Sequence, residues 1–267
     1  MNMLKRVLAL ILCLCALASF AFAEEPAGAA ETAERDQETT EILKSFMLKH
    51  GSRGSKKVAI TVDDCYKTAA EWVQADVELC RQYGIHMTFF PVYKTGCLLP
   101  QFRELWQSVL DAGCEIGCHG YQHLRLGSFD HWTLVRRLGM WQEKLDETLG
   151  YHYETRWLRP PYGSIDGGKK MNEKQVTGAL KRYGYDHIIH WEVSETKNMQ
   201  KALEDIKPGS ILLFHSKKKD THFLEQLIPI LLEQGYELVT LSELYGYPPP
   251  ETSEELYVYD RANYENK

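Results

Sequence analysis

Two histidines and a pair of acidic residues form the combination in this chain best suited to metal chemistry. His119 and His123 lie four residues apart after a short apolar run, and Asp63 and Asp64 end another apolar run. Neutral imidazole and carboxylate are good ligands for zinc and similar divalent ions, and three such ligands leave positions open for water or substrate. The other aspartate is then free to act as a base. Each pair alone has an ordinary explanation, an incidental histidine pair or a solvated turn, so their joint placement carries the interpretation.

The elements that position these residues alternate between short strands and helices. We predict strands at 57–63, 86–92, 114–119, 156–160, 186–192, 210–215 and 236–240, and helices at 68–83, 101–112, 130–148, 172–183, 196–206 and 221–234. Repeated alternation of this kind, with continuous apolar strands, predicts an α/β fold with a parallel sheet. About seven units suggest closure into a barrel. An open doubly wound sheet is the alternative, but no GxGxxG motif follows the first strand.

Further polar motifs also stand at the carboxyl ends of predicted strands. One is Arg159-Pro160-Pro161-Tyr162-Gly163 and the other is Leu213-Phe214-His215. In a parallel barrel this rim holds the active site. Taken separately, the arginine suits a structural ion pair and the last histidine suits a buried, hydrogen-bonded one, so the shared rim is what favours a catalytic site.

Composition and charge limit the class of protein. The chain has 267 residues, of which 44% are hydrophobic and 25% charged, which is typical of one domain with a sizeable core. The formal charge is -6, and -8 without residues 1–23, which disfavours a nucleic-acid partner. Five cysteines follow residue 23 without a CxxC spacing, so we expect buried thiols rather than a structural zinc site. The sequence leaves the oligomeric state open.

Residues 1–23 resemble a secretory signal peptide, with a basic start, an apolar core and the small-x-small site Ala21-Phe22-Ala23. We therefore expect a secreted, extracellular or cell-wall-associated protein, held at a membrane only if this segment is retained. Residues 24–55 are predicted to be a linker with a short helix at 39–49. The barrel is expected at 56–245, followed by an acidic, tyrosine-rich tail at 246–267 that wraps the domain in extended form.

These motifs together resemble the polysaccharide deacetylase family, the NodB-homology domain of carbohydrate esterases. Thr61-Val62-Asp63-Asp64-Cys65 is similar to the family's Thr-Phe-Asp-Asp-Gly motif, and His119 to His123 to its His-x-x-x-His motif. The segments 159–163 and 213–215 resemble its Arg-x-Pro-Tyr/Phe-Gly and Leu-x-His motifs. The resemblance covers about residues 56–245, and the family fold is a distorted barrel of about seven parallel strands.

The resemblance implies a role for each motif residue. Asp64, His119 and His123 would hold a divalent metal ion, for which zinc is expected. Asp63 would be the catalytic base and His215 the acid that protonates the leaving amine. By the same resemblance, Arg159 would orient the base, the backbone N–H of Tyr162 would help bind the oxyanion, and Leu213 and Trp191 would wall an acetyl pocket.

Two positions depart from the family pattern. Cys65 replaces the glycine after the acid pair, so a backbone position that favours glycine carries a side chain. The family's Asp-x-x-Asp-Trp motif is missing, and Ser194 stands where an aspartate partner of Arg159 is expected. Glu192 or Glu195 is hypothesised to compensate, with Glu195 the better candidate.

Three functions follow from these observations. The favoured one is a metal-dependent hydrolase that removes acetyl groups from N-acetylated sugars in a polymer such as peptidoglycan or chitooligosaccharide. An O-acetyl glycan esterase on the same scaffold is the second. The third is a catalytically weakened glycan-binding protein, although pure binding requires neither Asp63 nor His215.

Overall fold

The structure is a computed structural model that describes residues 37–166 and 168–265. The predicted signal peptide at 1–23 and the first part of the predicted linker, 24–36, lie outside the described residues. No helix within the described ranges is long and apolar enough to cross a membrane.

The strands are short and mostly parallel. In chain order they are β1 (Met47–Leu48), β2 (Lys57–Asp64), β3 (Thr88–Pro91), β4 (Glu115–Ile116), β5 (His152–Tyr153), β6 (Ile188–Ile189), β7 (Ile211–His215), β8 (Glu237–Val239) and β9 (Thr252–Ser253). The central parallel sheet has the order β4-β3-β2-β7, and β8 pairs with the first residues of β2. β2 is hydrogen-bonded on both edges and buried over all but its first residue, so it lies in the core.

Regular strand pairing does not continue around the whole barrel. Isolated parallel bridges join Cys118 to Leu158, Leu158 to Ile188 and Val193 to Leu212, between the ends of the central sheet. The strand predicted at 156–160 is therefore reduced to a single bridge position, since the two prolines that follow have no N–H to donate. The remaining strand predictions are confirmed within a few residues, and the α/β fold with parallel strands is as predicted.

The helices cover the sheet. They are α1 (Gln37–Ile42), α2 (Ala70–Tyr83), α3 (Arg103–Asp111), α4 (His131–Leu149), α5 (Glu173–Tyr183), α6 (Met199–Asp205), α7 (Lys218–Glu233), α8 (Leu241–Tyr245) and α9 (Ala262–Glu265). α2 and α4 end at glycines: Gly84 and Gly150 take positive φ values of 62° and 86° that close the last turn. The six predicted core helices are all present, with ends shifted by a few residues.

The segment before β2 differs from the expected linker helix. The helix ends at Ile42 rather than continuing to residue 49, and Met47–Leu48 form β1, which pairs in parallel with β6. Leu48 is buried, and Gly51 donates a backbone hydrogen bond to the carbonyl of Gly209. The apolar residues of the predicted helix are partly buried against the core, namely Ile42, Leu43, Phe46 and Met47.

The C-terminal tail is attached to α4 and β5. β9 pairs antiparallel with β5, and the backbone N–H groups of Tyr257 and Tyr259 donate to Asp146 and Glu143 on α4. The extended wrap is thus present as far as residue 261, and the short helix α9 begins at Ala262.

Candidate active site

Asp63 and Asp64 are the last residues of β2, and both are buried. Asp63 is aligned with Phe90 on β3 and with His215 on β7, so the acid pair lies where the central strands meet the rim. The backbone N–H of Val92 donates to the carbonyl of Asp64, which fixes the loop leaving the strand.

The chain turns through left-handed backbone after the acid pair. Asp64 has a φ of 72° and Cys65 a φ of 45°. Cys65 therefore adopts a left-handed conformation that glycine takes easily. Because cysteine has a Cβ, this conformation costs roughly 1–2 kcal/mol. Its thiol is fully buried, and burial, followed by the neighbouring Cys97, raises the pKa of Cys65 well above its usual value. Cys65 is a neutral thiol and not a nucleophile.

Asp64, His119 and His123 converge on one point. His119 Nε2 and His123 Nε2 lie 3.7 and 3.5 Å from Asp64 Oδ1, and the three candidate ligand atoms lie within 4.8 Å of one another. His119 Nδ1 is 2.8 Å from the carbonyl oxygen of Arg159, so Nδ1–H donates there and Nε2 presents its lone pair to the cluster.

This cluster fits a divalent cation. Asp64 Oδ1 is buried and has no hydrogen-bond partner among the described residues, an arrangement that is costly unless something positive binds there. The pKa of His123 is lowered, first by burial and then by the neighbouring His119, and these effects outweigh the attraction of Asp64. A lowered pKa favours the neutral imidazole that a metal requires.

The Arg159 side chain is 0% exposed and holds Asp63 in place. Its Nη1 donates to Asp63 Oδ1 at 2.9 Å and to Thr61 Oγ1 at 2.6 Å, and Nη2 donates to the carbonyl oxygen of His190 at 2.9 Å. Asp63 Oδ2 is then directed to the metal cluster, 3.7 Å from His119 Nε2. A fixed carboxylate beside an open metal position has the geometry of a general base.

The hypothesis that a glutamate replaces the missing acidic partner of Arg159 is wrong. Glu192 forms a two-point ion pair with Arg53, with distances of 2.6 and 3.0 Å. Glu195 lies at the surface and accepts two backbone N–H groups just before and at the start of α6, at 2.7 and 3.0 Å. Both carboxylates are engaged elsewhere, so the further acceptors of Arg159 are a hydroxyl and a carbonyl.

His215 ends β7 and stands beside a buried acid on the following helix. Its side chain is 34% exposed, so the ring is open to solvent on one side. Its Nδ1 lies 3.5 Å from Asp220 Oδ2, and its backbone N–H donates to the same oxygen at 2.9 Å.

The predicted substrate-facing residues line the rim next to the metal cluster. Tyr162 is 57% exposed, has a φ of 64° and meets the His123 ring edge-on with centroids 4.5 Å apart. Gly163 packs so closely on Trp191 that a Cβ at this position would lie 2.4 Å from the indole. Leu213 is buried near the end of β7. The structure thus brings the candidate metal ligands, the predicted base and the predicted acid to the same end of the strands.

Three participants in this arrangement were not foreseen: Thr61, the carbonyl of His190, and Asp220. Thr61 looks like an ordinary strand residue, and His190 contributes only its backbone. Asp220 sits on a helix five residues after His215, and only the turn between them brings it into contact. Thr61 belongs to the 61–65 motif, but nothing in that motif shows that its hydroxyl accepts from Arg159, and no local pattern points to His190 or Asp220.

The polysaccharide deacetylase family matches residues 50–188, just over half of the chain, and the chain belongs to that family. Membership of this family indicates a hydrolase that acts on carbon–nitrogen bonds other than peptide bonds. The matched range contains the acid pair, the two histidines and the 159–163 motif, and it ends before Trp191, Leu213 and His215.

Known relatives have low sequence identity to this chain but align with most of its length. The chain is 24% identical to an uncharacterised 30.6 kDa protein of Geobacillus stearothermophilus, over 78% of each protein. It is 27% identical to the peptidoglycan-N-acetylglucosamine deacetylase PgdA of Listeria monocytogenes, over 73% of this chain but only 40% of that protein. The aligned region is therefore less than half of the Listeria protein.

Solved structures share the fold. A peptidoglycan N-acetylglucosamine deacetylase, Bc1960, superposes with a TM-score of 0.64 at 22% identity, covering 78% of this chain and 96% of the other. A pseudoenzyme of carbohydrate esterase family 4 from Bacillus anthracis superposes with a TM-score of 0.62 at 22% identity, covering 74% and 68%. The common fold is consistent with the distorted barrel predicted from the sequence.

Proposed function

We propose that this protein is a metal-dependent deacetylase that hydrolyses N-acetyl groups on a carbohydrate polymer such as peptidoglycan or chitooligosaccharide. The observation that carries the proposal is the unpartnered, buried Asp64 Oδ1 beside two histidine Nε2 atoms, with an arginine-held Asp63 next to them. Family membership supports the same reaction class.

Asp64, His119 and His123 would hold the ion, and the mixed nitrogen and oxygen donor set suits zinc. When bound, such an ion polarises an amide carbonyl and acidifies water. The other steps belong to the chain's own residues, because proton transfers require groups fixed beside the reacting atoms.

Asp63 takes a proton from the attacking water through Oδ2, while Arg159 keeps the carboxylate oriented. The new carbon–oxygen bond forms as the carbonyl electrons move onto the oxygen. His215 then gives a proton to the sugar nitrogen, the carbon–nitrogen bond breaks, and the products are acetate and an amine on the sugar. The Tyr162 backbone N–H would help bind the negative oxygen, and Leu213 and Trp191 would contact the acetyl methyl group.

A cell-wall glycan is the proposed substrate, since a peptidoglycan deacetylase is among the relatives. Residues 1–23 support export, and the proposed mature protein begins at Glu24. Sequencing the N-terminus of protein recovered outside the cell tests this. An intact start on membrane-bound material would indicate an anchor instead.

The reaction is tested by measuring acetate and free amine together on chitooligosaccharide, peptidoglycan and O-acetylated xylan. We expect equal amounts of acetate and amine from one of the first two substrates, and no release by the His119→Ala variant. Acetate without amine, from xylan, would indicate an O-acetyl esterase. Glycan binding with acetate at background level would favour the weakened, binding-only alternative.

A further inference from the structure

We infer that Asp220 is a positioning residue for His215, fixing the imidazole so that Nε2 faces the leaving nitrogen. This inference rests on the proposed function and adds a residue that no motif of the chain points to. Asp220 acts through His215 and does not itself touch the substrate.

One carboxylate oxygen of Asp220 contacts His215 at two points. Asp220 Oδ2 accepts the backbone N–H of His215 at 2.9 Å and lies 3.5 Å from the Nδ1 of the same residue. The turn between them is closed by backbone hydrogen bonds from Lys217 to the carbonyl of His215, 2.7 Å, and from Asp220 to the carbonyl of Lys217, 2.9 Å. The same tight turn holds the backbone of His215 and that of Asp220. The carboxylate therefore stays beside the imidazole, and the contact with Nδ1 is lost only if the ring rotates.

Asp220 is placed to act as a charge. It is 1% exposed, in the first turn of α7, with Lys219 Nζ 3.8 Å from its other oxygen. Burial by itself would raise the pKa of Asp220, but the hydrogen bonds from the His215 side chain and backbone outweigh it and lower that pKa. The carboxylate is therefore ionised at neutral pH, and its negative charge lies beside Nδ1 of His215.

The neighbouring acidic residues Asp63 and Glu192 are paired with arginines and not with His215. Asp63, on the neighbouring strand, is engaged by Arg159, and Glu192 is engaged by Arg53. In the described portion of the chain, Asp220 is the carboxylate within ion-pair distance of His215. The acidic neighbour of His215 therefore comes from α7.

The groups that surround His215 are few. Asp63 lies next to it in the strand register, His123 lies across the site, and Lys219 is on the same turn as Asp220. Asp76 on α2, which packs against α7, lies near Asp220; burial raises the pKa of Asp76 to about 8, so its carboxyl is neutral at pH 7. The negative charge acting on Nδ1 is consequently that of Asp220.

The consequence for the reaction is a defined proton path. With Nδ1–H directed to Asp220, the proton given to the sugar nitrogen is the one on Nε2. After the transfer the ring is neutral and keeps Nδ1–H, and a proton from water restores the acid. A ring free to rotate would present the wrong nitrogen part of the time, which lowers kcat but not the affinity for substrate.

Asp220→Asn tests the inference, because asparagine keeps an oxygen for the His215 N–H and removes only the charge. We expect kcat to fall about 10- to 100-fold with KM changed less than twofold. The alkaline limb of the pH–rate profile should move to lower pH, because the negative charge beside Nδ1 has been lost. The matched control is Glu225→Gln, which neutralises an exposed carboxylate on the same helix and should change neither quantity.

A purely structural role for Asp220 would lower stability without moving the pH–rate profile, and an unmoved profile with unchanged kcat overturns the inference. An NMR titration of the His215 ring in the metal-loaded protein gives an answer without using activity. If its midpoint moves in Asp220→Asn while the wild-type protein releases no acetate, the pairing stands and the proposed function fails. If acetate is released and the midpoint does not move, the proposed function stands and the role of Asp220 is refuted.

Discussion

Replacing Asp63 by asparagine should remove proton transfer from the site while leaving metal binding intact. Asparagine keeps an oxygen that can accept from Arg159 Nη1, now 2.9 Å from Asp63 Oδ1, but it cannot take a proton from water. Asp64 and the two histidines are unchanged, so the variant should bind the same amount of metal as the wild-type protein.

The magnitude follows from what the carboxylate does. A positioned general base contributes about two to four orders of magnitude in rate, which is about 2.7 to 5.4 kcal/mol at 1.36 kcal/mol per factor of ten. The fold is also affected, because Arg159 is fully buried and loses its ionic partner. Removing one member of a buried pair costs about 3–5 kcal/mol. Asp63→Asn should cost less because Thr61 and the His190 carbonyl still accept hydrogen bonds, and Asp63→Ala should approach the full value.

The assay is acetate release by metal-loaded protein, with metal content and urea unfolding measured on the same samples. Asp111→Asn is the control, since it makes the same chemical change at an exposed helix position that accepts only from Gln107. We expect the control to match the wild-type rate and stability. An Asp63→Asn rate within twofold of wild type, with metal bound, would refute the assignment of Asp63 as the base.

Three further predictions concern metal, pH and the outer rim. We expect about one divalent ion per chain by elemental analysis and its loss in Asp64→Ala, because two histidines alone rarely hold zinc tightly; retention of the ion would contradict the site. Asp76 binds its proton up to about pH 8 in the folded chain and to about pH 3.8 when unfolded, so unfolding releases that proton between these values and stability falls as pH rises. The fall is at most about 1.4 kcal/mol per pH unit, and urea unfolding at pH 6 and 8 should show a smaller difference for Asp76→Asn than for wild type; equal differences would contradict this. Glu195→Gln should leave the rate of acetate release within twofold of wild type, because its carboxylate only accepts backbone N–H groups at the surface, and a large loss would restore the compensation hypothesis.

Much of the fold was predictable because its signals are local. The apolar run of β2 and the glycines after α2 and α4 mark where elements begin and end without reference to the rest of the chain. Errors arose where tertiary contacts decide. Met47–Leu48 lie within the predicted helix at 39–49, yet they pair with β6. The run before Pro160 has strand character, but Leu158 is the one position in it that forms bridges.

The candidate site divides in the same way. The residue types, their spacing and their position after strands were enough to select Asp63, Asp64, His119, His123, Arg159 and His215, since parallel strands bring their carboxyl ends together whatever the loops do. The choice of partners was not predictable, because it depends on which groups the loops bring within about 3 Å of one another. Glu195 is near Ser194 in sequence but turns to α6, whereas Asp220 reaches His215 through a tight turn.

The sequence by itself thus determined the class of fold and selected the candidate metal ligands and candidate reacting groups, because these depend on periodicity and on the chemistry of single side chains. Only the tertiary structure decided that Arg159 shares its guanidinium with Asp63, a threonine hydroxyl and a backbone carbonyl, and that the carboxylate beside His215 comes from α7. A hydrogen bond requires its atoms within about 3 Å and in line. That condition is met only when loops distant in sequence have packed, and no pattern within a single stretch of chain contains it.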